Sequence, residues 1–322
     1  MDQDKAAGIL DHRLHWRWAL PALLLLLAFP LLASAADAEF YVTLASRILI
    51  FALAATSLNL ILGFGGMVSF GHAAFMGVGA YAVAIAMQQG LGNAWLVWPL
   101  AMGLSALFAL LIGAISLRTQ GVYFIMITLA FAQMLYFLAI SIKAYGGDDG
   151  LQMSARSAIG GSVDLTHDRD FYYVTLLLVV LSIYAVARLL NARFGHVLQA
   201  IRENETRMTA IGFPVYRYKL VAFTLAGAMA GLSGVLLANL GGFVSPSIMQ
   251  WSQSGMLMVM VILGGVGYLY GGFLGAVFFL LLEELLSHYT IHWQLGLGLV
   301  LLLVVLVAPN GLASLIKARK AN

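Results

Sequence analysis

The chain contains no cysteine. A disulfide framework, a thiolate metal site and a cysteine nucleophile are therefore excluded, while the compartment stays open, because a membrane chain need not use disulfides. Charge is also scarce. Only 10% of the 322 residues are charged and 62% are apolar, where an average soluble domain carries roughly 25% and about 45–50%. A water-soluble chain of this length could bury one large core, but it would still need a polar surface, and too little polar material is present to make one. A bilayer removes that need, since helices bond their backbone groups internally and can face an apolar solvent.

Sequence signatures of catalysis are missing as well. There is no Gly-Lys pair and so no P-loop through which this chain could bind ATP. His-Glu-x-x-His, Gly-x-Ser-x-Gly and Gly-x-Gly-x-x-Gly patterns are absent too. The chain is expected to be no enzyme and to hold no cofactor of its own. Ionisable residues within the apolar stretches are few. Glu283, Glu284 and Arg47 lie near their ends and are expected to snorkel to the interface. His72 is expected to be a packed, neutral histidine. A proton-driven transporter needs buried relays, so this shortage argues against a self-powered one.

What the chain does have is a series of apolar runs. A spanning helix needs roughly 20 mostly apolar residues, and ten stretches qualify: 18–35, 41–62, 67–88, 95–117, 121–142, 171–190, 220–240, 253–265, 271–287 and 293–308. The predicted fold is an all-α integral membrane protein of about ten helices, with residues 1–322 forming one transmembrane domain. Lys5, Arg13 and Arg17 precede the first run and Ala33-Ser34-Ala35-Ala36 closes it, which is the layout of either a cleavable signal or a first spanning helix. The spans that follow at once favour the uncleaved helix.

Basic residues set the orientation. With both termini inside, thirteen of the seventeen lie on the cytoplasmic side: Lys5, Arg13, Arg17, Arg118, the six from Arg188 to Lys219, and Lys317, Arg319 and Lys320. Arg47, Lys143, Arg156 and Arg169 fall outside, where most of the acids are. Two connections are long: an outer one over 143–170, carrying Gly146-Gly147-Asp148-Asp149-Gly150, and an inner one over 191–218.

Two glycine clusters break the apolar runs, at 63–79 and 264–276. Both hold a double glycine, then a further glycine, then a Phe-x-Gly triplet, and the likeness suggests an internal duplication. Paired glycine-interrupted spans point to a transport pathway; close helix packing is the alternative for any one glycine, such as Gly227 and Gly231. The inner connection reads as a short amphipathic helix. Val197, Leu198, Ile201, Met208 and Ile211 form its apolar stripe, Arg202, Glu203, Glu205 and Arg207 its polar face, with Glu203 and Arg207 paired at i, i+4. Gly212 and Pro214 end it. Such a helix could rest on anionic lipid, form a solvated link or dock a cytoplasmic partner.

Several motifs occur in an order that resembles one family. They are Ser57-Leu58-Asn59-Leu60 running into the first glycine cluster, Thr128-Leu129-Ala130-Phe131-Ala132-Gln133-Met134, Gly146 to Leu151, Ala200-Ile201-Arg202-Glu203-Asn204-Glu205 through Gly212, the second glycine cluster, and Ala308-Pro309-Asn310-Gly311-Leu312. Together they resemble the branched-chain amino-acid ABC transporter permeases, the LivH/LivM group, and its LivM side in particular. The resemblance implies a permease subunit in a bacterial inner membrane, forming half of a pathway for branched-chain or other small amino acids. It implies a homologous LivH-like permease, two cytoplasmic ATPase subunits holding ATP and Mg, and a periplasmic substrate-binding protein as partners. It makes the inner loop a coupling helix, with Arg202, Glu203, Asn204, Glu205, Arg207 and Gly212 as the residues that meet the ATPase. Asn59, Ser69, His72, Thr128 and Gln133, polar groups within apolar spans, are the pathway candidates, and interhelical hydrogen bonding is the other role open to each. Similar permeases carry urea, short amides and aromatic acids. An ATP-independent channel and a membrane scaffold subunit are the rivals from other classes.

Overall fold

The computed structural model describes residues 16–35, 39–160, 164–289, 291–308 and 311–314. Lys5, Arg13, Pro309, Asn310, Lys317, Arg319 and Lys320, used above for orientation and motif matching, lie outside them. The chain is almost entirely helical. Its helices are α1 (Trp16–Ala35), α2 (Glu39–Asn59), α3 (His72–Gln88), α4 (Ala94–Ser116), α5 (Val122–Ser141), α6 (Asp168–Asn191), α7 (Arg193–Glu203), α8 (Glu205–Ala210), α9 (Val215–Gly241), α10 (Trp251–Gly264), α11 (Gly271–Tyr289) and α12 (Trp293–Val307). Among the described residues, six segments are long and apolar enough to cross a membrane: Glu39–Phe64, Ala94–Ser116, Val122–Ser141, Asp168–Asn191, Val215–Gly241 and Gly271–Tyr289. Leu20–Ala33, His72–Gln88, Trp251–Gly264 and Trp293–Val304 are shorter apolar helices. Two of these are short for a visible reason. α3 starts only at His72 and α10 stops at Gly264, because the glycine clusters interrupt the helical ladder there. The run predicted over 67–88 is thus an irregular segment followed by a helix.

α2 is the hub. Most of its faces are apolar, as suits a helix packed on several sides, and it continues through a π-helical turn, Leu60–Phe64. In that continuous segment 94% of the apolar stretch is buried, against 22% for Val122–Ser141. α6, α9, α10 and α11 pack around it. α9 packs against α3 and α4 through small residues. A Cβ on Gly231 would meet Ser105, and one on Gly227 would meet Ala109, so both glycines predicted to allow close packing do so. Ser105 in turn donates from Oγ to the Phe75 carbonyl oxygen at 3.1 Å, which joins α4 to α3.

The 143–170 connection folds over one end of the bundle. Strand β1 (Leu151–Gln152) pairs antiparallel with β2 (Phe243–Val244), just beyond α9. Arg156 bonds the Asp168 carboxylate at 2.6 Å and the Leu165 carbonyl oxygen at 2.9 Å. Asp168 also accepts from Thr43 Oγ1 at 3.2 Å, which ties the connection to α2.

The 191–218 loop corrects the sequence reading. It is two helices, α7 and α8, split at Asn204. Asn204 Oδ1 accepts from the Arg207 N–H at 2.8 Å and so caps α8. Glu203 and Arg207 therefore sit on different helices, and the expected i, i+4 pair gives way to an ion pair between Glu205 and Lys219 at the start of α9. Ile201, Met208 and Val215 form a small apolar core beneath the loop.

Candidate functional site

The two glycine clusters meet inside the bundle. After Gly264 the chain leaves the helix through Gly265 and Gly267, whose φ angles of 118° and 80° suit glycine alone among common residues. Backbone groups freed in this way need partners, since an unpaired donor or acceptor in an apolar interior is costly. Asn59, the last residue of α2, provides two at once. Its Nδ2 donates to the Tyr268 carbonyl oxygen at 2.8 Å and its Oδ1 accepts from the Gly267 N–H at 3.1 Å. One primary amide holds a donor and an acceptor side by side, which is what the 267–268 backbone presents. Gly63 comes so close that an added Cβ would lie 2.5 Å from Gly267 N.

Arg202, near the end of α7, enters this junction from the 191–218 loop. Its Nη1 donates to the Gly63 carbonyl oxygen. A Cβ on Gly66 would lie 3.1 Å from Arg202 Cγ, and one on Gly267 would lie 3.0 Å from its Nη1. The absence of side chains at Gly66 and Gly267 makes the slot that the arginine fills. A loop residue thus joins both broken helices through one side chain. The neighbouring pair, Lys219 with Glu205, ties α8 to the first turn of α9. Glu203, Asn204, Arg207 and Gly212 are exposed on the surface of the loop.

The other predicted pathway residues lie elsewhere. His72, at the start of α3, is fully buried and bonds Ser57 of α2 through Nε2 at 2.8 Å. Ser57 also bonds the Ala54 carbonyl oxygen at 2.7 Å. The other ring nitrogen, Nδ1, is buried without a hydrogen-bond partner among the described residues. His72 thus links α3 to α2. Ser69 Oγ accepts from the Gly71 N–H at 3.2 Å and shapes the entry into α3. Thr128 returns its hydroxyl to Ile125 of its own helix at 2.9 Å. Gln133 has a buried amide nitrogen without a partner among the described residues. Asn59 alone of the five joins Arg202 at the glycine junction.

One polar side chain and one pairing escaped the sequence reading. Ser254 of α10 accepts the Ala73 N–H at 2.9 Å and so satisfies a free donor at the start of α3. Arg47 and Glu283, expected to reach the interface separately, bond each other at 3.2 Å, 236 residues apart. Arg47 also lines a cavity of about 230 Å³ between α2, α3, α9 and α10.

Residues 40–308 match the family described as branched-chain amino acid transport system / permease component. The high-affinity branched-chain amino acid transport system permease proteins LivM of Salmonella typhimurium and of Escherichia coli are each 30% identical to the chain over 314 residues, 90% of this chain and 73% of theirs. LivH of Escherichia coli is 25% identical over 284 residues, 81% of this chain and 90% of that protein. No solved structure matches the chain.

Proposed function

This chain belongs to the family of branched-chain amino acid transport permeases, and on that premise we propose that it forms half of the transmembrane pathway of an ABC importer for branched-chain or other small amino acids. It is a multi-pass membrane permease subunit, not an enzyme. The other half is a homologous, LivH-like permease. Two ATPase subunits bind ATP and Mg at the cytoplasmic face, and a periplasmic binding protein delivers substrate to the opposite side. Ten spans with both termini cytoplasmic, and a duplication behind the two glycine clusters, complete the reading.

The observation that carries it is Arg202. A transporter without an ATP site of its own needs a mechanical link from its cytoplasmic surface to its spans. Arg202 supplies one, running from α7 to the Gly63 carbonyl oxygen at the junction of both broken helices. In this reading Glu203, Asn204, Glu205, Arg207 and Gly212 belong to the surface that the ATPase grips. ATP binding closes the ATPase pair and moves the loop. Arg202 and the Glu205–Lys219 pair pass that motion to α2, α9 and the 265–270 backbone, where irregular segments can hinge. Asn59 keeps the two clusters moving as one. Ser69, His72, Thr128 and Gln133 act as the polar joints of the surrounding spans.

The test is uptake and ATP hydrolysis in proteoliposomes holding the chain with its partner permease, ATPases and binding protein. Wild-type importer is expected to accumulate leucine only with ATP. Arg202→Ala is expected to keep hydrolysing ATP while losing accumulation. Uptake that persists without ATP would identify a facilitator instead. Transport of urea, a short amide or an aromatic acid in place of leucine would move the substrate within the family.

A further inference from the structure

We propose that the cavity between α2, α3, α9 and α10 is a binding site for an aliphatic amino-acid zwitterion, with Arg47 as its carboxylate anchor. The inference rests on the importer reading above and adds a place and a chemistry to it.

Arg47 lies eight residues into α2, about 12 Å along the helix from Glu39. It is one turn deeper than Thr43, which bonds the covering connection through Asp168. An ionised side chain at such a place, among apolar spans, is costly and marks function by default. Its ion pair with Glu283 of α11 does not use up either partner. Nη2 meets Oε1 at 3.2 Å in a single contact, where a guanidinium and a carboxylate can form two parallel bonds. The second carboxylate oxygen, Oε2, is buried without a hydrogen-bond partner among the described residues. The guanidinium carries five N–H donors, and the described residues take one of them. It also sits 5.8 Å from the centre of the Phe51 ring. The pair is held in place and left open.

The cavity supplies the rest of a binding site. Arg47 and Gln253 give it a polar end, and Phe51, Leu237, Ile248 and Met256 are among its apolar walls. Its volume of about 230 Å³ falls below the roughly 300 Å³ at which pockets for drug-sized ligands begin, so it suits a small molecule. A ligand that fits must bring an anion for Arg47, a cation or donor for the amide oxygen of Gln253, and a compact apolar body. An α-amino acid with an aliphatic side chain has all three. Urea and short amides lack the anion and the apolar body, and an aromatic acid lacks the cation.

The experiment uses photo-leucine, a diazirine-bearing zwitterion shaped like leucine, on membranes containing the assembled importer. After irradiation, adducts are mapped by mass spectrometry with and without excess L-leucine. Expected are leucine-protected adducts on Phe51, Leu237, Ile248 or Met256. Arg47→Gln should reduce them about tenfold, the loss of one charge-assisted contact. The mapping on wild-type protein needs no variant. Should Arg47→Gln fail to reach the membrane, Gln253→Leu, which leaves the ion pair intact, is expected to lower the same adducts severalfold. Adducts confined to other residues, or adducts here that excess leucine does not suppress, overturn the site. ATP-driven uptake of radiolabelled leucine in the same membranes separates the two ideas. Uptake with no protected adduct in the cavity overturns the site and leaves the importer reading standing, whereas no uptake at all overturns that reading.

Discussion

The Arg202 guanidinium donates to the carbonyl oxygen of Gly63, 139 residues earlier in the chain. Few contacts in the molecule join parts so different in character. One end is a polar helix of a connecting loop, and the other is the point where the most buried helix loses its regular ladder. The bond exists because Gly66 and Gly267 leave room for a long side chain beside the end of the π turn.

Arg202 should therefore be sensitive to geometry as well as charge. Arg202→Lys keeps the charge but replaces a planar fork with a shorter-reaching point charge. It is expected to retain partial uptake. Arg202→Met, which keeps the stem and removes every donor, should lower ATP-driven uptake about tenfold or more, in line with the 1.5–3 kcal/mol typical of a hydrogen bond to a charged group. Initial rates of leucine uptake, normalised to chain abundance in the membrane, decide it. Equal rates for all three forms would remove Arg202 from the coupling route.

Asn59→Leu should destabilise the protein. It leaves the Gly267 N–H and the Tyr268 carbonyl oxygen without their side-chain partner in an apolar interior. At about 1–3 kcal/mol for each orphaned group, the loss should be several degrees in the melting temperature of the detergent-purified complex. Asn59→Asp keeps the acceptor but removes the donor and buries a carboxylate, so it should be at least as harmful. A melting curve unchanged in both variants would contradict the bridging role.

The glycines should separate into two groups. Gly63→Ala puts a methyl group 2.5 Å from Gly267 N and against the Asn59 side chain, so yield and uptake should both collapse. Gly103, inside α4, has nothing within 4 Å of an added Cβ. Gly103→Ala should be tolerated and stabilise the helix by about 0.8–1 kcal/mol, the propensity difference between the two residues. Expression level and thermal stability of the pair, measured side by side, test the distinction.

The Glu205–Lys219 ion pair offers a test by charge exchange. Glu205→Lys places two cations together and should reduce coupling while costing less than about 1 kcal/mol of stability, as expected of a partly exposed pair. Glu205→Lys combined with Lys219→Glu should recover uptake in proportion to the restored pair. Failure of the double variant to improve on the single one would mean that Glu205 acts by contacting the ATPase directly.

Six of the ten apolar runs are helices long enough to cross a bilayer, and they were readable because a bilayer demands runs of about 20 apolar residues; the other four are shorter apolar helices. The glycine clusters were readable as breaks for the same reason. Which polar side chain did what was not readable. Asn59, Thr128 and Gln133 look alike in an apolar sequence, yet Asn59 bridges two clusters and Thr128 bonds its own helix. The difference depends on which backbone groups 200 residues away have lost their partners. The split at Asn204 did leave a signal. Asparagine followed by glutamate is a helix start, but the apolar stripe running through it suggested a single helix. The pairing of Arg47 with Glu283 left none, since each residue alone has a plausible route to the interface.

The hub position of α2 bears on what one copy of this chain can do. Its middle is solid protein, with 94% of the apolar stretch through Glu39–Phe64 buried. On the importer reading proposed above, the filled surroundings of α2 among the described residues put the substrate route along the flank of this chain, with its opposite wall supplied by the partner permease. An isolated copy in a bilayer should therefore be electrically and osmotically silent, and leakage would be a fault of assembly between chains.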